Sequence, residues 1–245
     1  MRITQAFVPS SLHASGFHKK FSLSEYKSIH EPTCFFGAHV SVLDKIRQHK
    51  GHKTLIWIGM DGYNMSIGKH DVEFVRTCRN IATSRSLQRV LDSNDVENEY
   101  YPISCFEFKD IVPEPLGDKI YFYHGRKDLY QYDLMKRVAD RVPFKVIWVD
   151  GWQAHSREDI FHLYQECFCG VRLREIDGLS NTGIELGLMG RMVIHNGDMP
   201  NNIPYTDEDS IVNEINHVYD FRSPVNDVSE AVRNFIDIGD DWLNF

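Results

Sequence analysis

Short apolar runs alternate with amphipathic stretches along the first half of the chain. A short apolar run bounded by polar or turn-forming residues is typical of a buried β-strand, whereas apolar positions at helical spacing predict a helix. Val42, Leu43 and Ile46 give residues 39–48 such a helical face, and Gly51 follows as a stop signal. The pattern predicts a further helix at 84–91 and strands at 3–8, 33–36, 54–58, 80–83 and 100–105.

The same alternation is clearer in the second half. Ser156 is a typical N-cap residue before an amphipathic run, and Ile211, Ile215 and Val218 share one face of another. The pattern predicts strands at 119–123, 144–149, 169–173 and 192–195, and helices at 129–140, 156–166, 181–189 and 206–219.

Strands that alternate with helices need crossover connections, which favour parallel sheets covered on both faces. The chain therefore predicts an α/β protein with two Rossmann-like domains. Pro113, Pro115 and Gly117 make residues 109–118 a candidate linker. We place the first domain at 1–115, the second at 116–222, and a last helix at 223–245 that crosses back to the first domain.

Composition narrows the class of protein. The chain has 245 residues, of which 42% are hydrophobic and 25% charged, and its mean hydropathy is −0.37, as in a soluble globular protein. A net charge of −8 argues against nucleic acid and acidic membranes as partners. No apolar run is long enough to span a bilayer, and five cysteines without zinc-like spacing favour a reducing compartment. We therefore expect a cytoplasmic protein without a transmembrane segment.

The densest group of candidate site residues is the stretch from Asp177 to Glu185, D-G-L-S-N-T-G-I-E. It joins a predicted strand to a predicted helix, and its small residues allow a ligand to approach the backbone. Ser180 or Asn181 would cap the helix and direct its first amides toward an anion. The alternative from spacing alone is an ordinary capped connection with a solvated Asp177 and a surface Glu185.

Other candidates lie at the predicted ends of neighbouring strands, where parallel sheets bind their ligands. Arg126 and Lys127 suit a diphosphate, although a solubilising basic pair is the alternative. In the first half, His39 and Asp61 occupy similar positions and are as consistent with ordinary loop residues. The chain contains neither G-x-x-x-x-G-K-[ST] nor G-x-G-x-x-G, which disfavours nucleotide triphosphatases and dinucleotide-binding enzymes.

Residues from about 80 to 220 resemble glycosyltransferase family 4. Asp177 and Glu185 have the spacing of that family's E-(x)7-E region, and L-G-L-M-G-R-M-V-I follows Glu185 where the family reads roughly A-x-x-x-G-x-P-V-V after its second E. Gly125 and Arg126 stand where the family has Gly-Arg after the first strand of its C-terminal domain. Residues 149–151 resemble its V-G-x-G strand end. Compact members of this kind are similar to glycosyltransferases encoded by large algal viruses.

The chain departs from the family pattern at three positions. Asp177 replaces a glutamate and has a shorter side chain. Gln131 stands where the family has a lysine, a role that we assign to Lys127. Met60 replaces a histidine of the N-terminal domain, which leaves His39 or Asp61 to contribute from that side.

The resemblance implies a glycosyltransferase B fold, with a nucleotide-sugar donor in a cleft between the two domains. Glu185 would accept hydrogen bonds from the ribose, and three candidate catalytic residues would act on the reacting groups: Arg126 and Lys127 on the diphosphate, and Asp177 on the sugar ring. The other donor-binding candidates are Gly125, Asp150, Gly151, Gly178, Leu179, Ser180, Asn181 and Thr182. The family retains anomeric configuration and needs no metal, so no cofactor is expected.

The expected activity is transfer of a hexose from a GDP- or UDP-linked donor, with GDP-mannose and UDP-glucose leading, to a glycan or glycoprotein acceptor. If the protein is viral, its expected location is the host cytoplasm. A homodimer is a further candidate partner state. Two alternatives are a nucleotide-sugar epimerase of the same fold and a non-catalytic nucleotide- or carbohydrate-binding protein. An Asp-x-Asp metal motif is present as D-E-D at 207–209, but its position predicts the first turn of a helix rather than a metal site.

Overall fold

A computed structural model describes residues 1–9, 16–104, 106–151 and 156–245. The chain forms two compact units. The first contains Met1–Glu107, Ile176–Leu179 and Ile236–Phe245, and the second contains Phe108–Glu175 and Ser180–Phe235. Each unit is built on a parallel sheet, so the predicted α/β class with two parallel-sheet domains is confirmed. Cys105, at the end of one predicted strand, lies outside the described residues.

The sheet of the first unit has six parallel strands in the order β2-β1-β3-β4-β5-β6. They are β1 (Gln5–Phe7), β2 (Ser24–Glu25), β3 (Thr33–Phe36), β4 (Lys53–Trp57), β5 (Arg79–Ala82) and β6 (Glu99–Tyr100). The strand predicted at 100–105 is therefore wrong in its bounds. It ends at Tyr100 because Pro102, two residues further on, has no N–H to continue the ladder.

In the described part of this unit, the helices are α1 (Phe17–Lys20), α2 (Val40–Gln48), α3 (Met60–Ser66), α4 (Val72–Arg76) and α5 (Arg85–Asp92). Ser84 caps α5 by accepting a hydrogen bond from the Leu87 N–H. Alternate residues of the central strands are buried on opposite faces of the sheet. Phe35 and Leu55 join the hydrophobic cluster on one face, whereas Phe36 and Ile56 join the cluster that contains Trp242.

The sheet of the second unit has five parallel strands in the order β11-β10-β9-β7-β8. They are β7 (Lys119–His124), β8 (Val146–Asp150), β9 (Cys167–Val171), β10 (Met192–Ile194) and β11 (Asn202–Ile203). Strand β9 lies at the centre, where Val171 pairs with Phe122 on one side and with Ile194 on the other. The strand predicted at 169–173 thus ends two residues earlier, so Arg172 lies at the carboxyl edge of the sheet.

The helices of this unit are α6 (Tyr132–Arg141), α7 (Arg157–Gln165), α8 (Asn181–Leu188), α9 (Glu208–Asp220) and α10 (Val225–Ile236). Ser156 caps α7 through a capping box with Asp159, as predicted. Ile211, Ile215 and Val218 bury the inner face of α9 in the core, which confirms the predicted face. None of the helices in the described parts of the chain is both long and apolar enough to cross a membrane.

Candidate functional site

The carboxyl edge of the second sheet brings two predicted loops close to tyrosine side chains. Gly125 follows β7, and a side chain there would meet the ring of Tyr130. Gly151 follows β8, and a Cβ atom at this position would lie 2.3 Å from the hydroxyl oxygen of Tyr123. Any other residue at 151 would therefore require the Tyr123 side chain to shift. The adjacent Asp150 is half-buried and pairs in register with His124.

The N-terminus of α8 is capped by Ser180 rather than Asn181. The Ser180 Oγ accepts a hydrogen bond from the Gly183 N–H at 3.1 Å, and Ser180 itself is buried. Asn181 and Thr182, the first two residues of the helix, are half-buried. A capped N-terminus with its amides at the carboxyl edge of a parallel sheet is the arrangement that favours an anion.

Glu185 lies one turn into α8 and is largely buried, so the alternative of a surface glutamate is wrong. Its side chain is 16% exposed, its Oε2 accepts a hydrogen bond from the Tyr164 hydroxyl at 3.1 Å, and its Oε1 lies 3.7 Å from the Arg157 Nε. Burial raises the pKa of Glu185, while the positive charge of Arg157 and the Tyr164 hydroxyl oppose that rise. The carboxylate is thus oriented by α7 and desolvated, two conditions that strengthen its hydrogen bonds to a ligand.

Arg126 and Lys127 are both exposed. The Arg126 Nη2 donates to the Asp128 carboxylate at 2.8 Å, and the Lys127 Nζ lies 4.7 Å from the centre of the Tyr132 ring. Interactions between exposed charges are weakened by solvent and salt. Both residues follow β7 directly after Gly125, and their role in binding stays a prediction.

Two further arginines, which the sequence analysis did not single out, follow the central strand of this sheet. Arg172 and Arg174 are each only 7% exposed, and each donates a hydrogen bond of 3.1 Å to the hydroxyl oxygen of Tyr130. The alternation R-L-R directly after an apolar run was the available signal, since it sets two cations on the same side of an extended chain. Arg172 was hidden inside the strand predicted at 169–173.

Asp177 belongs to the first unit, although it precedes α8 of the second by only a few residues. The hydroxyls of Ser84 and Ser86 donate to its carbonyl oxygen at 2.5 and 2.7 Å, and its Oδ1 accepts from the Gly178 N–H at 3.1 Å. Asp177 is buried, so the alternative of a solvated aspartate is also wrong. A side chain at Gly178 would lie 2.3 Å from the main-chain oxygen of Ile58, which requires glycine there. Leu179 beside it is half-buried.

The two first-half candidates differ in environment. His39 is exposed and directly precedes α2. Asp61, on α3, is 1% exposed, and its carboxylate accepts hydrogen bonds from the main-chain N–H groups of Ala38, Ile58, Gly59 and Gly62 at 2.8–3.1 Å. Burial raises the pKa of Asp61, and these N–H groups oppose the rise. Its geometry therefore favours a structural role, that of joining two loops.

The acidic run at 207–209 forms a helix cap, as predicted. The Asp207 carboxylate accepts from the Ser210 N–H at 2.8 Å, Glu208 pairs with Arg137 and Arg141, and Asp209 pairs with Arg141. Over the described ranges, no three or more His, Cys, Asp or Glu side chains are grouped as a metal site would need.

The fold resembles those of solved glycosyltransferases. Sucrose-phosphate synthase from Thermosynechococcus elongatus matches at a TM-score of 0.63 and 12% identity, over 94% of this chain and 76% of that one. The lipopolysaccharide outer core galactosyltransferase WaaB matches at 0.60 and 14%, over 84% and 72% of the two chains. Anabaena HepE, solved with UDP and glucose, matches at 0.60 and 10%, over 83% and 74%.

These similarities show that the fold is of the glycosyltransferase B type, as predicted. No protein-family model and no curated protein matches the sequence. At identities of 10–14% the similarity extends to the fold alone, so membership of glycosyltransferase family 4 and similarity to algal viral enzymes remain predictions.

Proposed function

We propose that this protein is a retaining glycosyltransferase that moves a hexose from a nucleotide diphosphate sugar to a hydroxyl group of a glycan or glycoprotein, without a metal ion. The fold is one that solved glycosyltransferases share. The observation that carries the proposal is Glu185, a desolvated carboxylate held by Tyr164 one turn inside a capped helix at the carboxyl edge of a parallel sheet. That position suits a group that accepts hydrogen bonds from the ribose hydroxyls of a nucleotide.

The remaining residues supply the chemistry in this proposal. As the glycosidic bond breaks, negative charge grows on the diphosphate that leaves, and fixed cations and amides directed at it stabilise the transition state. Arg126 and Lys127 approach it from the rim, and the amides of Asn181 and Thr182 at the start of α8 bind the distal phosphate. Asp177 orients the sugar ring, and the acceptor hydroxyl attacks the face from which the diphosphate departs and passes its proton to the departing phosphate oxygen.

The first test is calorimetry with a panel of nucleotide sugars in the presence of a chelator. Binding of GDP-mannose, UDP-glucose or a related donor without metal, followed by transfer to an acceptor with the anomeric configuration retained, is the expected result. A strict requirement for Mn²⁺ or Mg²⁺ contradicts the metal-free proposal. Inversion at a sugar carbon in the absence of an acceptor identifies an epimerase, and tight binding without any turnover identifies a binding protein.

The second test isolates Glu185. The Glu185→Gln variant keeps the shape of the side chain and removes its charge, so we expect donor affinity to fall by about 10- to 100-fold, as for other hydrogen bonds to charged groups. The same variant should also lose its preference for UDP over 2′,3′-dideoxy-UDP, because that preference measures the ribose hydroxyls. Glu230→Gln, on the exposed face of α10, is the matched control. Unchanged affinity in Glu185→Gln contradicts the ribose role.

A further inference from the structure

A cavity of about 490 Å³ lies within the first unit, at the amino edge of its sheet. Its lining includes His52, Arg79 and Glu99, which precede or begin the neighbouring strands β4, β5 and β6. The carboxyl edge of the same sheet, where Asp61 and Ser84 lie, is a strand length away. At about 3.3 Å per residue, the four residues of β5 span on the order of 13 Å. Cavities of about 300–1,000 Å³ are usual for small-molecule sites.

The side-chain charges around this cavity balance. Two arginines, Arg76 and Arg79, line it together with two glutamates, Glu97 and Glu99. The Arg79 guanidinium donates to both carboxylate oxygens of Glu99, at 2.6 and 2.8 Å, so this pair is held in one orientation. Because charge complementarity decides which ion a site prefers, a site whose charges are paired favours a neutral ligand.

Two polar atoms of the cavity lining lack a hydrogen bond. In the described part of the chain, neither the His52 Nε2 nor the Asn98 Oδ1 has a partner, although both atoms are buried. Burial, followed by the positive charge of Arg79, lowers the pKa of His52, so its neutral imidazole can either accept or donate. Buried polar atoms without a partner cost free energy, and a ligand that carries hydroxyl groups can satisfy both of them.

An aromatic ring completes the lining. The Phe245 ring stacks on the His52 ring with centroids 3.5 Å apart and planes inclined by 12°, and Phe245 is 37% exposed. The cavity therefore sets an apolar ring beside carboxylate, guanidinium and amide groups. A sugar combines apolar C–H faces with hydroxyl groups, each of which donates one hydrogen bond and can accept two. Both parts of that chemistry match this lining.

We propose that this cavity is a second carbohydrate site, which binds a neutral sugar unit of a glycan at the amino edge of the first sheet. Phe245 packs against the sugar ring, while His52 and Asn98 bond to its hydroxyl groups. The inference rests on the proposed function, in which a glycan is the acceptor and the product. The second site keeps the glycan on the protein between transfers, because two linked sites raise the effective concentration of their common ligand.

Calorimetry with maltose, α-1,2-mannobiose and N,N′-diacetylchitobiose tests this site with neutral sugar units of different kinds. At least one probe should bind to the wild type, and Phe245→Ala should weaken that binding by about tenfold because the aromatic contact is lost. Phe221→Ala is the matched control, because Phe221 is a 71% exposed phenylalanine of the second unit, and it should bind the sugar as the wild type does.

Two results overturn the inference at this stage. One is the absence of binding for every probe at about 10 mM sugar, a concentration that detects a Kd on the order of 1 mM. The other is wild-type affinity in Phe245→Ala, which places the bound sugar elsewhere. Glycylglycine, a zwitterion, also suits paired charges. If it binds more tightly than every sugar and Phe245→Ala weakens its binding, the cavity is a zwitterion site and the inference is overturned.

A second variant separates binding from folding. His52→Phe keeps a ring against Phe245 and removes the ring nitrogens, so sugar affinity should fall by about fivefold, the usual effect of one lost hydrogen bond. Its melting temperature should stay close to that of the wild type, because no hydrogen bond within the described protein is lost at the Nε2. If Phe245→Ala does not fold, His52→Phe decides, and wild-type sugar affinity in His52→Phe overturns the inference.

Failure of this inference can be told from failure of the proposed function. If a nucleotide sugar is bound and transferred but saccharide binding changes in neither Phe245→Ala nor His52→Phe, the second site is wrong and the glycosyltransferase proposal stands. If both variants weaken saccharide binding but no nucleotide sugar is bound or turned over, the carbohydrate site stands and the glycosyltransferase proposal fails.

Discussion

The carboxyl edges of the two sheets bury polar side chains in different ways. In the first unit, Asp61 accepts hydrogen bonds from four main-chain N–H groups, and Ser84 and Ser86 donate to the main-chain oxygen of Asp177. In the second unit, Arg172 and Glu185 are held by the hydroxyls of Tyr130 and Tyr164. Polar groups of the first edge bind the protein's own backbone, whereas Arg172 and Glu185 of the second edge contact side chains, among them the charged Arg157 beside Glu185.

This difference indicates which edge is built for folding and which for a ligand. Main-chain N–H groups around a carboxylate offset the cost of its burial, and the loops that carry them become dependent on it. The Tyr164 hydroxyl orients the Glu185 carboxylate, the group that we propose binds the ligand. Substitutions at the first edge should therefore lower stability, whereas those at the second should lower affinity.

The largest effect is expected at Asp61. Asp61→Ala leaves four main-chain N–H groups of two loops without an acceptor, which should cost about 3–5 kcal/mol of unfolding free energy. For a chain of this size, the melting temperature should then fall by about 10 °C or more. Thermal unfolding monitored by circular dichroism measures this change in melting temperature.

Asp44→Ala is the matched control, because the Asp44 side chain is 88% exposed on α2. Its melting temperature should stay within about 2 °C of the wild type. An Asp61→Ala protein with wild-type stability and a lost affinity for the donor would reverse the comparison. It would support the alternative in which Asp61 contacts the ligand.

Local patterns were sufficient to predict most of the fold. Buried strands such as β4 and β7 are continuous apolar runs, and caps such as Ser156 and Ser180 depend on residues three positions away. The elements that were missed, including β2, α1, α3 and α4, have two to seven residues each. Such short segments contain too few positions for a period to be recognised.

The site was less predictable because its contacts are distant in sequence. The N-cap of α8 could be predicted from the local preference for serine or asparagine at that position. Glu185 could be named as a candidate from its place one turn into the same helix. The partner of Arg172 is Tyr130, 42 positions earlier, and Asp61 meets the Ala38 N–H, 23 positions earlier. Only the folded chain shows that the first pair brings two buried cations together and that the second joins two loops.

The pH dependence of donor binding gives the next largest effect. Burial raises the pKa of Glu185 above its ordinary value of 4.5, so the carboxylate becomes protonated at a higher pH than an exposed glutamate. Below that raised pKa, affinity for a UDP-sugar should fall by about tenfold per pH unit, because the protonated form no longer accepts two hydrogen bonds as an anion. Calorimetry over a pH series in the wild type and in Glu185→Gln measures the difference.

Acidification has the opposite effect on the stability of the fold. Because the pKa of Glu185 is higher in the folded than in the unfolded protein, acidification between the two values favours the fold through this group. We therefore expect the wild type to lose affinity for the donor at low pH. Its stability should not fall relative to that of Glu185→Gln over the same pH range. Tyr164, which donates a hydrogen bond to the carboxylate, stays protonated because burial raises the pKa of its hydroxyl well above the ordinary value. An affinity with the same pH profile in both proteins contradicts the proposed role.

The smallest effect is expected at the rim. Arg126 has a side chain that is 46% exposed and already pairs with Asp128, so Arg126→Gln should weaken UDP binding by less than about fivefold. The difference in affinity between Arg126→Gln and the wild type should disappear at salt concentrations well above roughly 0.15 M, because the screening length there is shorter than about 8 Å. The loss in Glu185→Gln should persist at the same salt concentration because that carboxylate is largely buried. If Arg126→Gln loses as much affinity as Glu185→Gln, and the loss resists salt, the exposed cations hold the ligand as firmly as the buried carboxylate does. The contrast between buried and exposed groups of the second unit then no longer predicts which substitutions lower affinity most.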